Sequence, residues 1–275
     1  MEQARESAAP GEAILSVAGL RREFGGVWAC TDATFDLRRG AITSLIGPNG
    51  AGKSTVVGIV GGAIAPSAGR IVFDGTDITA MPPHRRARAG LVRTYQLSSE
   101  FGRLTVLENL LVAAPGQHGE RIRTLLYGKR YWRQQEVELL GRARILLDRF
   151  AMKHKEDEYA GNLSGGQKRL LEIMRALMCQ PKLLLLDEPM AGVNPTLAQV
   201  IEGYLADLAA EGLTMLLVEH ELGLVEAVGV GDRDGAGRGD CHRFHARTAE
   251  TPGGAECLPR RLTPPGRTAR RSCCR

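Results

Sequence analysis

Residues 47–55 constrain the fold of this chain most, because they match the phosphate-binding pattern G-x-x-x-x-G-K-[ST]. The glycines of the pattern let the backbone curl so that successive N–H groups point at one anion. A short apolar strand is predicted before the loop at residues 41–46, and a helix is predicted after it at residues 55–60. This context favours a nucleoside triphosphate site over a chance glycine-rich turn. The residues expected to bind the nucleotide are Gly47, Pro48, Asn49, Gly50, Ala51, Gly52, Lys53, Ser54 and Thr55.

Two side chains of the loop have distinct expected roles. Lys53 brings a positive charge to the β- and γ-phosphates, and Ser54 offers a hydroxyl oxygen to Mg²⁺. The helix that starts here turns its positive end toward the same phosphates. The loop therefore predicts the ligands, but it does not say what the released energy drives.

The composition is that of an ordinary soluble globular protein, with 43% hydrophobic and 24% charged residues. No stretch approaches the roughly 18 consecutive apolar residues of a membrane span. Residues 1–13 contain three glutamates and lack the apolar core of a secretory signal, so we expect a loose leader and a cytosolic protein.

The order of predicted elements indicates an α/β domain with two additions. Alternating apolar residues at 14–20 and 33–37 predict antiparallel strands ahead of and beside the phosphate-binding core. Residues 97–165 change to helical spacing and are interpreted as a helical subdomain within a domain at 14–228. Two later apolar runs, residues 182–186 and 213–218, predict strands buried on both faces of a parallel sheet.

Polar side chains that could act on a triphosphate follow these two buried strands. Asp187 and Glu188 end the first run, and His220 closely follows the second. Asp187 is placed to hold Mg²⁺ directly or through water, Glu188 to polarise an attacking water, and His220 to contact the γ-phosphate. Without the phosphate loop, Asp187 and Glu188 would be interpreted as a solvated strand end and His220 as a surface histidine. Together with the loop, roles in the nucleotide site are favoured.

With these residues in order, the chain resembles the ATP-binding subunits of ABC transporters over about residues 12–228. The most specific sign is the sequence LSGGQ at residues 163–167. The resemblance implies the P-loop ABC-type nucleotide-binding fold, with an antiparallel β subdomain and a helical subdomain. It also implies that Gln96 binds Mg²⁺ and senses the γ-phosphate, that Phe24 stacks on adenine, and that Glu188 and His220 are catalytic. Asn194 stands where many relatives have an aspartate.

The resemblance further implies a dimer that sandwiches two ATP molecules. The signature residues of one subunit would close on the ATP that the other subunit holds; these are Ser164, Gly165, Gly166 and Gln167. The implied partners are a second ATPase subunit, transmembrane permease subunits and a periplasmic or lipid-anchored solute-binding protein. The implied location is the cytoplasmic face of the membrane.

Four stretches resemble the larger ATPase subunit of branched-chain amino acid importers: residues 24–26, 92–96, 107–113 and 191–195. ATPases of urea or amide importers and of lipopolysaccharide export are open alternatives. A non-transport ABC ATPase of DNA repair or translation is disfavoured, because those chains usually carry two cassettes or a long coiled-coil insertion. No nucleic-acid partner is expected.

The segment 229–275 departs from the family pattern. From residue 231 onward it holds ten arginines and five acidic residues, a net charge of +5, so residues 1–230 are neutral, with 26 basic and 26 acidic residues. Four of the six cysteines also lie here, without the spacing of a zinc site. One interpretation is a disordered basic tail. The other is a shifted reading frame, which would leave the family's C-terminal strands missing or non-native, expose a sheet edge, and weaken ATP binding and assembly.

Overall fold

A computed structural model describes residues 12–48, 50–94, 100–116, 129–219 and 240–243 of the 275. The elements, in chain order, are β1 (Ala13–Phe24), β2 (Val27–Arg38), β3 (Ile42–Ile46), α1 (Lys53–Val60), β4 (Ala68–Phe73), β5 (Thr76–Asp77), α2 (Pro83–Ala89), β6 (Leu91–Arg93), α3 (Val106–Ala113), α4 (Lys129–Arg149), α5 (Gly165–Met178), β7 (Leu183–Asp187), α6 (Pro195–Ala210), β8 (Thr214–Glu219) and β9 (Asp240–Arg243). Short 3-10 turns lie at Lys153–Lys155 and Ala160–Asn162.

The strands form two sheets, as the sequence predicted. One is antiparallel with the order β2-β1-β4-β5, and it begins with a hairpin whose turn is Gly25 and Gly26. The other has the order β6-β7-β8-β3-β9, and all its pairings are parallel. In a parallel sheet the carboxyl ends of neighbouring strands meet at one edge, so the residues that follow β3, β6, β7 and β8 are brought together.

The unbroken leucines of β7 are buried because both faces of the parallel sheet are covered. Leu184 and Leu186 pack into the core that is shared with the helices α3, α4, α5 and α6. Leu183 and Leu185 face the other way, into the core formed with α1 and the antiparallel sheet. The period-two alternation thus divides one strand between two cores, and the prediction of a doubly buried strand is confirmed.

A buried arginine fixes the position of α1. Arg86 of α2 is 2% exposed, and its guanidinium donates to four carbonyl oxygens at 2.7–3.0 Å. Two of these, of Ile59 and Val60, belong to the last turn of α1, where a cation also meets the negative end of the helix. Arg86 therefore stabilises the C-terminal end of the helix whose other end adjoins the phosphate loop.

Helices α3 and α4 lie within the predicted helical segment 97–165, with α3 packed against both α4 and α5. α3 begins with a capping box in which Thr105 and Glu108 satisfy each other's backbone N–H groups. The limits of this subdomain stay a prediction. Among the described residues, no helix is both long and apolar enough to cross a bilayer.

The tail supplies one strand, which lies beside β3 and forms the edge of the parallel sheet. β9 pairs in parallel with β3, in a register that sets Thr43 against Asp240 and Ile46 against Arg243. The residues of β9 are Asp, Cys, His and Arg, whereas β3 and β8 are mostly apolar. A strand of polar residues can pair with β3 because backbone hydrogen bonds can cover an edge without apolar side chains. The shifted reading frame stays a prediction.

Candidate functional site

The phosphate loop joins the end of β3 to the start of α1. Gly50 and Gly52 have φ angles of +79° and +83°, in the left-handed region that favours glycine. Gly52 caps α1, and its carbonyl accepts from the backbone N–H of Val56 at 2.9 Å. Because Gly52 has no side chain, it leaves the N–H groups of the first turn to an external acceptor. The loop therefore has the local geometry of an anion site.

Lys53 lies inside this loop and is 4% exposed. Its Nζ donates to the carbonyl oxygens of Gly47 and Pro48 at 2.5 and 2.9 Å. Burial lowers the pKa of Lys53, and the negative charges of Glu188 and Asp187 oppose that shift. The ammonium is thus held by the curled backbone, and the negative charges of Glu188 and Asp187 stabilise its protonated form.

A pocket of about 470 Å³ opens over the loop. It brings together predicted residues that are far apart in the sequence, since Glu188 lines it together with the loop residues. It also includes Ala29 of β2, which the sequence did not identify. The lining residues are Ala29, Gly50, Ala51, Gly52, Lys53, Ser54, Thr55 and Glu188.

Asp187 ends β7 and is 1% exposed. Its Oδ2 accepts from Nη2 of Arg93 at 2.9 Å, and Arg93 ends the neighbouring strand β6. Its Oδ1 is buried and has no hydrogen-bond partner among the described residues. A buried carboxylate oxygen without a partner is costly, and hard oxygen donors suit Mg²⁺, so Asp187 fits the predicted metal role.

The described residues contain no cluster of three or more His, Cys, Asp or Glu side chains that could hold a metal alone. Mg²⁺ beside nucleotides is usually held by one or two protein oxygens together with the phosphates. Ser54, exposed in the first turn of α1, is the second protein oxygen that fits.

Glu188 has a backbone φ of +50°, which is uncommon for a residue with a Cβ. Three hydrogen bonds hold its peptide groups: its N–H donates to Val218 O at 3.1 Å, and its carbonyl accepts from Ala191 N at 3.1 Å and from Arg169 Nη2 at 3.3 Å. Arg169 is itself paired with Glu172 at 2.6 Å within α5. The helix that begins with the signature thus positions the predicted base, through a contact that the sequence did not reveal.

The signature residues form the N-terminal turn of α5. Ser164 Oγ accepts from Gln167 N at 3.3 Å, and Gln167 Oε1 accepts from Ser164 N at 3.0 Å. Ser164 and Gly165 are exposed, whereas Gly166 faces α6, where an added Cβ would lie 2.0 Å from Leu197 Cδ2. The Ser164 cap was predicted and is confirmed; the outward face of this turn is open to a second molecule.

The remaining predicted residues are placed as follows. Phe24 ends β1, is 45% exposed, and has the Arg22 guanidinium 4.5 Å from its ring centroid. Asn194 caps α6, with its Oδ1 accepting from Leu197 N at 2.8 Å. Asn49, Gln96 and His220 lie outside the described residues.

Arg93, Arg169 and Ala29 are the residues of this region that sequence reasoning missed. The sequence did not reveal them because their contacts depend on which strands and helices lie side by side in the fold. Arg93 is a basic residue only three positions before Gln96, and that position was a sign that it could belong to the site. The sequence could not identify its partner Asp187, because that contact depends on β6 lying beside β7.

Comparisons with known proteins agree on one family. The ABC transporter family model matches residues 30–191. The "Probable branched-chain amino acid transport ATP-binding protein LivG" of Archaeoglobus fulgidus is 42% identical over 212 residues, which cover 77% of this chain and 81% of that protein. The "High-affinity branched-chain amino acid transport ATP-binding protein LivG" of Escherichia coli is 38% identical over 221 residues, covering 80% and 86%.

A solved structure shows the same fold. The ADP conformation of an ATP-binding cassette of an ABC transporter aligns with a TM-score of 0.67 at 37% identity. The alignment covers 79% of this chain and 85% of that one.

Proposed function

The chain belongs to the ABC transporter family, and we propose that it is the ATP-hydrolysing subunit of an importer of branched-chain amino acids. The geometry supports ATP hydrolysis through one observation: Glu188 lines the same pocket as Lys53 and Ser54. The solute is supported by the names of the relatives, which are branched-chain amino acid transport proteins. The proposed ATPase domain is residues 14–228, with its helical subdomain at about 97–165.

In the proposed mechanism, the N–H groups of the loop and the Lys53 ammonium bind the phosphates of ATP. Magnesium, when bound, neutralises phosphate charge, and Ser54 and Asp187 are the described residues that would hold it. Glu188 Oε atoms accept a proton from the attacking water or orient it. Arg169 holds the Glu188 backbone in its left-handed conformation through the Glu188 carbonyl, and so helps to fix the residue at the pocket.

The second half of the active site is proposed to come from another copy or a related subunit. Supporting this, the signature turn is exposed at Ser164 and Gly165, and the pocket over the phosphate loop does not include it. Such a dimer would dock on membrane permease subunits at the cytoplasmic face and act with a solute-binding protein outside. Gln96 and His220 are proposed to contact Mg²⁺ and the γ-phosphate, and Phe24 to stack on adenine.

The test is an ATPase assay of the full chain under three conditions: alone, with DNA or RNA, and in proteoliposomes with its cognate permease subunits. We expect Mg²⁺-dependent hydrolysis that the permease stimulates and nucleic acid does not. ATP-dependent accumulation of leucine in the proteoliposomes would identify the solute class. Stimulation by nucleic acid in place of permease, or uptake of urea but not leucine, would contradict the proposal.

A further inference from the structure

Arg93 and Asp187 form a buried ion pair at the carboxyl edge of the parallel sheet. Each residue is the last of its strand, and β6 and β7 are neighbours, with Arg93 in register with Leu185. Arg93 Nη2 lies 2.9 Å from Asp187 Oδ2, and the two side chains are 14% and 2% exposed. Charge pairs this close and this shielded from water interact more strongly than pairs at the surface.

The path of the Arg93 side chain is shaped by helix α1. A Cβ added at Gly61 would lie 3.1 Å from Arg93 Cδ, and one added at Gly58 would lie 3.6 Å from Arg93 Nη1. Gly58 of α1 and the C-cap Gly61 thus lie against the arginine side chain, which shares the space beside Gly58 with Ile64. Arg93 therefore joins the helix that carries Lys53 and Ser54 to the carboxylate that ends β7.

The two oxygens of Asp187 are divided between different tasks. Oδ2 accepts from Arg93, while Oδ1 has no hydrogen-bond partner among the residues described. A magnesium ion that uses Oδ1, directly or through a water, must share one negative charge with the guanidinium. Because both are cations, each weakens the attraction of Asp187 for the other.

We propose that Arg93 is a positioning residue that competes electrostatically with Mg²⁺ for Asp187 and so sets how much Mg²⁺ the site needs. This rests on the proposed role of Asp187 as a metal ligand. The consequence is a site that takes magnesium together with ATP, since the phosphate charges outweigh the guanidinium, and that has little affinity for the free ion. Arg93 touches neither nucleotide nor water in this proposal; it acts through Asp187.

The test compares the full-length wild type with R93M, R93Q and R93K. Binding of a fluorescent ATP analogue is followed while Mg²⁺ is titrated at fixed nucleotide. In R93M and R93Q, which remove the charge, the half-saturating Mg²⁺ concentration should fall about tenfold. R93K keeps the charge and should stay within about twofold of the wild type. Nucleotide affinity in EDTA should change little in all three.

Binding of Mn²⁺ without nucleotide, measured by electron paramagnetic resonance, gives a second readout. The neutral variants should bind Mn²⁺ at concentrations at which the wild type does not. R93Q can still donate a hydrogen bond to Asp187, so it carries the test if R93M fails to fold, as judged by circular dichroism.

The proposal is wrong if the neutral variants need as much Mg²⁺ as the wild type or more, or if R93K shifts as far as R93M. A merely structural role would lower thermal stability without changing the Mg²⁺ requirement. A wild type that shows no Mg²⁺-dependent nucleotide binding would contradict the proposed function instead, and the Mn²⁺ measurement would still decide the role of Arg93.

Discussion

The chain has two helix N-termini that are candidates for binding phosphate, and they are built in opposite ways. At α1 the cap is Gly52, which has no side chain, and the nearby Lys53 is almost fully buried. At α5 the cap is Ser164, whose reciprocal hydrogen bonds with Gln167 use part of the first turn, and the turn is exposed. The first terminus leaves its donors to a ligand in a pocket of its own chain. The second terminus is already capped by its own side chains and is exposed, which suits contact with a ligand that another subunit holds.

The largest expected effect tests the pocket side of this comparison. E188Q should lower ATP turnover by about 100-fold or more, because general base catalysis commonly contributes that much. ATP affinity should stay near the wild-type value, since glutamine keeps the size of the side chain. Steady-state hydrolysis and nucleotide binding are the measurements.

E211Q is the matched control for E188Q, because Glu211 forms only a surface pair with Arg149 among the described residues. Its turnover should match the wild type. Turnover in E188Q that also matches the wild type would remove Glu188 from the catalytic role and leave the pocket as a binding site only.

The next effect tests the surface side. In G165A the new methyl group meets no neighbouring atom of the described residues within 4 Å, so the monomer should fold normally. In the proposed dimer it would meet the partner's nucleotide, and ATP-dependent dimerisation should weaken about tenfold, a cost of about 1.4 kcal/mol. Analytical ultracentrifugation in the E188Q background, where ATP persists, measures this.

G141A is the control for G165A. Gly141 is an exposed glycine of α4, and its added Cβ also meets no atom of the described part of the chain within 4 Å. Alanine favours helix at this position, so G141A should be slightly more stable and should dimerise like the wild type. Equal loss of dimerisation in both variants would show that the α5 turn does not contact the partner's nucleotide.

The contrast between the two termini also shows which features local sequence can predict. The leucine run of β7, the loop glycines and the Ser164 cap depend on neighbours within a few residues, and the structure confirms them. The contacts of Arg93 with Asp187 and of Arg169 with Glu188 span 94 and 19 residues. They depend on strand order and helix packing, which single-residue patterns do not encode.

A similar limit applies to the tail. Its composition, without valine, isoleucine or methionine after residue 231, gave no sign of a strand. β9 nevertheless pairs with β3, because the exposed backbone of a sheet edge accepts a partner through its N–H and C=O groups. Side-chain patterning does not report that kind of pairing.

A smaller effect comes from the burial of Lys53. Because burial lowers its pKa below the ordinary lysine value, the ammonium loses its proton at lower pH than an exposed lysine would. Phosphate binding needs the charged form, so ATP affinity should fall as pH rises through an alkaline range that begins below the ordinary lysine pKa. Isothermal titration calorimetry should also show proton uptake on binding in that range.

K53R provides the contrast for the pH series, because a guanidinium stays charged throughout it. Its affinity is expected to be lower overall but flat with pH. K182R, at an exposed lysine that pairs with Asp74, should keep the wild-type pH profile. A wild-type affinity that does not vary with pH would mean that the loop carbonyls and the two carboxylates keep Lys53 protonated despite its burial.

The smallest effect separates the structural role of the Ser164 cap from its role as a surface. The chain contains a second capping box of the same kind, at Thr105 and Glu108 of α3. S164A and T105A should each lower the free energy of unfolding by about 1 kcal/mol, because each leaves a first-turn N–H without its acceptor. Urea unfolding measures both. Only S164A should also weaken ATP-dependent dimerisation, since only that turn is proposed to face a partner's nucleotide. If both variants lose stability and neither loses dimerisation, Ser164 acts as a cap alone. The N-termini of α1 and α5 would then differ only in how deeply they are buried.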